Sequence, residues 1–236
     1  MTRIDVVRSA LASISGRTYL EIGVKDGECF DAVDAETKVA VDPAFAFRPP
    51  FSSWFRRVRR AKRGAFYFRM TSDDFFAGPA RRLAPYDVVF VDGLHTYEQS
   101  YADVLNALAV LADPGVVLVH DCNPVSEAAA APTLHAAART PGYTGEWNGE
   151  VYKALVRLRA RSDVRACVID CDQGVGIVVA GEPESRLHIS PDDIARLGYA
   201  DLVAQRTALL DLRPASALEE VIGRLAPTIT PCRHSS

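Results

Sequence analysis

Long apolar runs, a cysteine framework and a strong charge bias are all missing from this sequence of 236 residues. No window approaches the roughly 18 uncharged apolar residues that a transmembrane helix needs, so we expect no membrane span. The five cysteines, at positions 29, 122, 167, 171 and 232, have an odd count and no paired C-x-x-C spacing. They indicate neither a disulfide scaffold nor a cysteine zinc site, and they favour a reducing cytoplasm. The net charge of −3 argues against nucleic acid as a partner.

Short runs rich in valine and isoleucine alternate with helix-like segments. The runs VVFV and VVLV are continuous, which is typical of strands that are buried on both faces of a sheet. This order predicts a Rossmann-like, doubly wound α/β fold with a mostly parallel seven-stranded sheet. Because only DCDQ separates the last two strands, the final strand is expected to be antiparallel. The predicted strands are Thr18–Ile22, Lys38–Asp42, Ala65–Met70, Asp87–Asp92, Gly115–His120, Arg165–Ile169 and Gly174–Val179.

Residues 1–182 form the predicted main domain, and residues 183–236 form a helical extension packed on it, which is a candidate homodimer contact. A basic segment, 48–63, holds seven Arg and Lys residues and no acid between the second and third strands. Three interpretations are open for this segment: a lid, a site for an acidic acceptor, and a solvated amphipathic face. The predicted helices are Ile4–Ile14, Gly27–Ala35, Glu98–Ala112, Val125–Thr140, Glu150–Arg161, Pro191–Leu212 and Ala215–Leu225.

The first strand ends in YLEIGVKDGECF, where Glu21 is followed by Gly23 and Gly27. Glycines at such a corner let the backbone approach a ligand closely, although an ordinary strand–turn–helix corner has the same pattern. Lys25 occupies the middle position of the dinucleotide fingerprint, which disfavours a tight pyrophosphate site. Asp42 ends the second strand, where a carboxylate can accept both hydroxyls of a ribose or, alternatively, cap a helix.

Further polar residues follow the next strands. Ser72 and Asp73 lie after the third strand, where they either read a base edge or cap a helix. Asp92 ends the fourth strand and Asp121 the fifth. Ligands of open parallel sheets bind outside the carboxyl ends of the strands, so these carboxylates are expected to crowd one edge. Such crowding is unfavourable unless a ribose, a cation or a charged cofactor lies between them.

These motifs together resemble a known family. YLEIGVKDGECF, VAVDP, DVVFVDGLHTYEQSYADV and PGVVLVHDCNP are similar, in order and spacing, to the motifs of class I S-adenosylmethionine-dependent methyltransferases. The nearest likeness is to methyltransferase family 24, which includes relatives of sugar and natural-product O-methyltransferases, and it covers residues 18–179. The resemblance implies an enzyme that methylates a small hydroxylated acceptor. It implies that Glu21, Gly23 and Gly27 line the methionine part of the cofactor, that Asp42 holds the ribose, that Ser72 and Asp73 lie by the adenine, and that Asp92 lies near the sulfonium.

The resemblance also suggests a metal. The catechol-type relatives hold a divalent cation with the acids that end strands four and five, which correspond to Asp92 and Asp121. Asn123 is the candidate third oxygen ligand, and such a set suits Mg²⁺. Cys122 stands where those relatives have a carboxamide, so capping of the following helix by Asp121 and Asn123 is the alternative.

His95 lies three residues after Asp92, where the same relatives carry a base. An imidazole titrates near neutral pH and can take a hydroxyl proton. The alternative is a His95 that only orients Asp92, and His120 is then the next candidate base. The stretch TGEWNGEVYKALVRLR places Trp147, Asn148 and Tyr152 either in the acceptor pocket or in the core.

Two other function classes compete with a methyltransferase. A nicotinamide-dependent oxidoreductase is disfavoured by Lys25 and by the lack of a Tyr-x-x-x-Lys pair near strand five. A non-catalytic partner subunit that keeps the cofactor pocket is disfavoured by His95 and the strand-end acids.

Overall fold

The computed structural model of the chain describes residues 1–48 and 64–224. Within them, eight strands form a single sheet in the order β3-β2-β1-β4-β5-β7-β6-β8. The strands are β1 (Thr18–Ile22), β2 (Thr37–Val41), β3 (Gly64–Phe68), β4 (Tyr86–Val91), β5 (Leu111–Val119), β6 (Val164–Asp170), β7 (Val175–Ala180) and β8 (Leu212–Pro214). The helices are α1 (Arg3–Ser13), α2 (Glu28–Ala32), α3 (Ser72–Ala77), α4 (Ala80–Leu83), α5 (Tyr97–Leu108), α6 (Leu134–Ala137), α7 (Val151–Arg159), α8 (Pro191–Arg196), α9 (Tyr199–Leu210) and α10 (Leu218–Gly223), with a short 3₁₀ helix at Ala215–Ala217.

The predicted doubly wound α/β fold is confirmed. Strands β1 to β5 pair in parallel, and β7 is antiparallel to both β5 and β6. The sheet has eight strands rather than seven because β8 pairs with β6 in parallel. Sequence periodicity missed β8, which is only three residues long and is separated from the preceding helix by Asp211 alone.

The core lies on both faces of the sheet, as the continuous apolar runs predicted. Along β4, Val89 and Val91 belong to one apolar cluster, whereas Val88 and Phe90 belong to the cluster on the other face. All four side chains are buried. This alternation explains why the stretch from Val88 to Val91 contains no polar residue.

The predicted helix at Val125–Thr140 is wrong, since most of this stretch forms turns and only α6 is helical. A run of alanines from Ala128 to Ala131 is buried instead. The carbonyl of Ala129 accepts hydrogen bonds from the amides of Asn148 and Gly149, and that of Ala131 accepts one from the indole of Trp147. Small side chains let this backbone approach the segment 147–149 closely, and Pro132 then ends any regular helix.

The C-terminal part is packed on the same sheet. The predicted helix Pro191–Leu212 is broken into α8 and α9, because Gly198 begins the second helix with its amide bound by Asp201 at 2.8 Å. Both helices contact α7. The domain division at residue 182 stays a prediction. The basic segment 48–63, apart from Arg48, lies outside the described residues.

Candidate active site

One cavity of about 680 Å³ opens at the carboxyl ends of β1, β2, β4 and β5. It includes the point between β1 and β4 where the strand order reverses, which is where open α/β sheets bind ligands. Its volume suits a small-molecule site. Eight of the predicted site residues line it, namely Glu21, Gly23, Asp42, Ser72, Asp73, Asp92, His95 and Asp121.

Two predicted site residues are not brought to the cavity. Gly27 precedes α2 with φ +88°, and a Cβ there would meet the ring of Phe47 at 3.2 Å. It therefore shapes the corner between β1 and α2 and does not line the cavity. Asn123 is occupied elsewhere: its Oδ1 accepts from Arg206 and its Nδ2 donates to Asp170 at 3.0 Å. Packing against α9 and β6 thus engages both ends of its amide, and Asn123 does not line the cavity. Its role as a metal ligand stays a prediction that these contacts disfavour.

Gly23 allows the ends of β1 and β4 to touch. Its φ is +83°, and a Cβ at this position would lie 2.0 Å from the carbonyl oxygen of Asp92. The amide of Asp92 in turn donates to the carbonyl of Ile22 at 2.8 Å. Only glycine fits this close approach, which brings Asp92 to the cavity wall.

Asp42 is buried and its carboxylate is held in place by two backbone amides. Lys25 N donates to Oδ2 at 2.8 Å, and Ala44 N donates to Oδ1 at 2.6 Å. Each carboxylate oxygen has two lone pairs, so both oxygens retain an acceptor site for a ligand hydroxyl.

Glu21 lies at the floor of the cavity with 2% of its surface exposed. Burial raises the pKa of this carboxyl to about 8, although the hydroxyl of Tyr19, which donates to it at 2.6 Å, opposes the increase. A cationic ligand would reverse part of the burial effect by favouring the carboxylate.

Ser72 and Asp73 begin α3 on the cavity wall, but neither is the helix cap. Thr71 is the cap, since its side chain accepts from Asp74 N. Gln99 of α5 donates its amide to Ser72 Oγ at 3.2 Å and to Asp73 Oδ1 at 3.1 Å. Gln99 itself lines the cavity and was missed by sequence analysis.

Two carboxylates and two imidazoles meet at the ends of β4 and β5. His95 Nε2 lies 3.5 Å from Asp92 Oδ1 and 3.2 Å from Asp121 Oδ2. His120 Nδ1 lies 3.4 Å from each of the same two oxygens. We call these four residues the strand-end cluster.

The electrostatics of the strand-end cluster are strongly coupled. Burial would raise the pKa of Asp92, but contacts with His120 and His95 lower it to about 2. Burial would lower the pKa of His120, but the carboxylates of Asp121, Asp172 and Asp92 raise it to about 12. The pKa of His95 is raised by Asp92 and Asp121 against the effect of burial. Without a bound cation, the carboxylates therefore shift both imidazoles toward their protonated forms.

Residues 147–150 hold His95 from the other side. Nδ1 of His95 and the carbonyl oxygen of Trp147 are 3.0 Å apart, and the two rings pack with centroids 5.1 Å apart. Glu150 N donates to the carbonyl of His95 at 2.9 Å. Gly149 has φ +62°, and a Cβ there would lie 2.1 Å from the same carbonyl. Trp147 therefore supports His95 instead of being only core.

Asp121 is fixed by the same segment and by the turn between β6 and β7. Asn148 Nδ2 donates to Asp121 Oδ1 at 2.5 Å, which leaves Oδ2 for the histidines. The backbone of Asp121 is left-handed, with φ +61°. The following amides, of Cys122 and Asn123, donate to carbonyls of the turn at Gly174 and Gln173. Tyr152, by contrast, is buried and donates its hydroxyl to Leu197 O at 3.1 Å, so it belongs to the core.

Arg3 and Asp172 were not predicted as site residues. Arg3 of α1 lines the cavity, and its amide donates to Asp172 Oδ2 at 2.6 Å. Asp172 Oδ1 lies 3.7 Å from His120 Nε2. Both residues reach the site through packing between distant parts of the chain. In the sequence, only the presence of an acid in the DCDQ turn could have indicated the place of Asp172 in the site.

The geometry is compatible with a cation. Donor atoms of Asp92, His95 and Asp121 lie within 4.8 Å of one another. Carboxylate oxygens and neutral imidazole nitrogens are common ligands of divalent metals. The residues therefore fit the predicted metal position, with histidine available where Asn123 was expected.

Comparison with known proteins identifies the kind of domain. Residues 20–122 match the family 24 model described as a methyltransferase domain. The predicted resemblance is confirmed. The predicted enzyme class, a methyltransferase, is confirmed by this match. The matched stretch includes Glu21, Asp42, the predicted base His95 and the strand-end acids Asp92 and Asp121. A search of curated proteins found no significant match.

Solved structures share the fold. A putative caffeoyl-CoA O-methyltransferase from Staphylococcus aureus is 13% identical, with a TM-score of 0.52 over 75% of this chain and 82% of that one. The O-methyltransferase TomG from Streptomyces achromogenes, solved with S-adenosylmethionine, is 20% identical, with a TM-score of 0.45 over 77% and 81%. At 13% identity, the likeness to the Staphylococcus aureus structure establishes the fold only. The described residues contain no helix that is long and apolar enough to cross a membrane.

Proposed function

We propose that this chain transfers a methyl group from S-adenosylmethionine to a hydroxyl oxygen of a small-molecule acceptor. The observation that carries the proposal is the continuous cavity that joins the oriented carboxylate of Asp42 to the strand-end cluster. One end of the cavity suits a ribose, and the other end suits a reacting hydroxyl. Relatives with this fold have been solved with S-adenosylmethionine or S-adenosylhomocysteine.

The residues of the cavity suit the cofactor chemically. S-Adenosylmethionine supplies a methyl group on a positively charged sulfur, together with an ammonium and a carboxylate. Asp92 is ionised, and a positive group beside Glu21 favours its carboxylate form, so the floor of the cavity suits positive groups. Asp42 presents two oriented oxygens, so it orders a ribose without reorganising. Ser72, Asp73 and Gln99 offer hydroxyl, carboxylate and amide groups to an adenine edge.

His95 is the proposed base. The Trp147 carbonyl can only accept a hydrogen bond, so it fixes the ring proton on Nδ1 of His95 and leaves the Nε2 lone pair toward the cavity. Nε2 takes the proton of the acceptor hydroxyl as the oxygen attacks the methyl group. Asp92 and Asp121 then stabilise the imidazolium that forms. The acceptor reaches Nε2 past Leu94, which lies on the cavity rim and is 58% exposed.

Calorimetry tests the cofactor and a product assay tests the reaction. We expect S-adenosylmethionine and S-adenosylhomocysteine to bind with one site per chain, whereas NAD should not bind. A panel of sugar, catechol and macrolide alcohols should then be screened for release of S-adenosylhomocysteine. Tight NAD binding without S-adenosylmethionine binding would reject the proposal in favour of an oxidoreductase. An acidic acceptor, a cytoplasmic location and a dimer contact through the C-terminal helices stay predictions from the sequence.

A further inference from the structure

His120 has an environment that a simple ion pair does not explain. Its Nδ1 lies midway between Asp92 Oδ1 and Asp121 Oδ2, at 3.4 Å from each. Its Nε2 has no hydrogen-bond partner among the described residues, and only 7% of the residue is exposed. Nε2 instead faces Asp172 Oδ1 at 3.7 Å. Carboxylates therefore lie on both sides of one buried ring.

The distances are too long for charge-assisted hydrogen bonds. Bonds of that type have N···O separations of about 2.7–2.9 Å. Other ion pairs of the structure are shorter, with 2.8 Å for Arg3–Glu28 and 2.6 Å for both Lys153–Glu150 and Arg161–Asp163. One N–H shared between two oxygens makes two long, bent hydrogen bonds instead of one short, linear bond. The 3.4 Å spacing is therefore longer than one charge-assisted hydrogen bond from a proton on Nδ1 would be.

The spacing agrees with ligands around one metal ion. Nitrogen and oxygen ligands lie about 2.0–2.2 Å from a first-row divalent cation, so neighbouring ligand atoms are about 3.0–3.5 Å apart in octahedral or tetrahedral sites. The distances from His120 Nδ1 to the two carboxylate oxygens fall within this interval. A cation between them also removes the repulsion between two carboxylates and a nitrogen lone pair.

We infer that His120 Nδ1 is the third protein ligand of a divalent cation held with Asp92 and Asp121, and that the site prefers a transition-type ion over Mg²⁺. An imidazole nitrogen suits Mn²⁺, Fe²⁺, Co²⁺ or Zn²⁺, whereas Mg²⁺ favours oxygen ligands. Asp172 then lies where a carboxylate orients the other ring nitrogen of a metal-binding histidine. Asn148 orients Asp121 in the same way through its bond to Oδ1.

This inference deepens the proposed function and leaves His95 as the base. The side chain of His95 is 19% exposed and that of His120 is 8% exposed, so the acceptor has better access to His95. His120 lies deeper, directly at the end of β5, which suits a ligand more than a proton acceptor.

Cobalt absorption tests the inference on the full chain, without acceptor or cofactor. Metal-free protein should take up one Co²⁺ per chain with a visible d–d spectrum, and calorimetry should show Mn²⁺ and Zn²⁺ binding at least 100-fold tighter than Mg²⁺. His120→Ala should weaken Co²⁺ binding at least 100-fold, and Asp172→Asn should weaken it roughly 10–100-fold. His135→Ala, which changes an exposed histidine in α6, should bind Co²⁺ like the wild type.

A second variant covers the case in which His120→Ala does not fold. His120→Asp supplies an oxygen ligand. It should reduce the ratio of Mn²⁺ affinity to Mg²⁺ affinity at least tenfold. Unchanged Co²⁺ binding by His120→Ala, or equal affinity of the wild type for Mg²⁺ and Mn²⁺, would overturn the inference. Calorimetry of S-adenosylmethionine with the metal-free protein distinguishes failure of the inference from failure of the proposed function. Cofactor binding without metal binding would reject only the inference. Metal binding without cofactor binding would reject only the proposed function.

Discussion

Nδ1 of His95 donates its proton to the backbone carbonyl of Trp147 across 3.0 Å. Since a carbonyl oxygen can only accept, this bond determines which nitrogen of the ring faces the acceptor. The orientation of the proposed base therefore depends on a backbone atom 52 residues away in the chain.

Replacing His95 by alanine should lower turnover by about 10²–10⁴-fold, the usual contribution of a general base. The wild-type rate should rise with pH as the imidazolium loses its proton, and the mutant should lack this rise. Cofactor affinity should barely change. Both properties are measured by S-adenosylhomocysteine release and by calorimetry. His188→Ala, at an exposed position that is not part of the cavity lining, serves as the control. A His95 variant with the wild-type pH profile would show that His95 only orients its neighbours.

Asp42→Ala should weaken S-adenosylmethionine binding at least tenfold. The change removes bonds to a charged group, each contributing roughly 1.5–3 kcal/mol. It also leaves the amides of Lys25 and Ala44 without their acceptor. Asp42→Asn retains one acceptor oxygen and separates the two effects, and thermal unfolding checks the fold. Asp34→Ala changes an acid just before β2 that does not line the cavity, and this variant should bind the cofactor normally. Equal affinities of all variants for S-adenosylmethionine would show that Asp42 does not bind the cofactor.

Gly149→Ala should reduce turnover more than tenfold. Its Cβ would lie 2.1 Å from the carbonyl of His95, and its φ of +62° is unfavourable for alanine by about 1–2 kcal/mol. The backbone must shift, and His95 shifts with it. Gly142→Ala is a matched control, because Gly142 also has a positive φ, +81°, but a Cβ added there would meet no atom within 4 Å. Similar rates for the two variants would mean that only backbone strain matters.

The raised pKa of Glu21 should make the protein without bound ligand less stable as the pH rises. Its folded pKa of about 8 exceeds the ordinary value of 4.5, so between these values the folded state binds more protons than the unfolded state. The free energy of unfolding therefore falls across this window, by about 1.4 kcal/mol for each unit of pKa difference. Urea unfolding at pH 5 and pH 8 measures the decrease, and Glu21→Gln should have a flatter profile. The same slope in both proteins would assign the effect to other groups.

The strands were predictable because the signal for them is local. β1 was predicted to the residue, and the strand-end positions of Asp42, Asp92 and Asp121 followed from it and its neighbours. A continuous run of β-branched residues indicates a buried strand wherever it occurs. The rule that ligands bind at the carboxyl ends of such strands then brings together side chains that are distant in sequence.

Side-chain partners beyond the strand ends were not predictable. Asn123 has the right residue type and position for a ligand, but α9 supplies Arg206 to its Oδ1. Asp172 faces His120 only because the turn between β6 and β7 packs against the end of β5. The alanine-rich stretch before Pro132 has high helix propensity, yet its carbonyls bond to residues 147–149 instead. Tertiary contacts of this kind override local preference.

The ring of Trp147 lies against the ring of His95 at an interplanar angle of 31°. An indole emits light, and a protonated imidazole in contact with it quenches that emission by accepting an electron from the excited state. The chain has one other tryptophan, Trp54. A Trp54→Phe protein thus has a single indole fluorophore, beside the proposed base, and its emission reports the charge on that base in real time, before any acceptor has been identified.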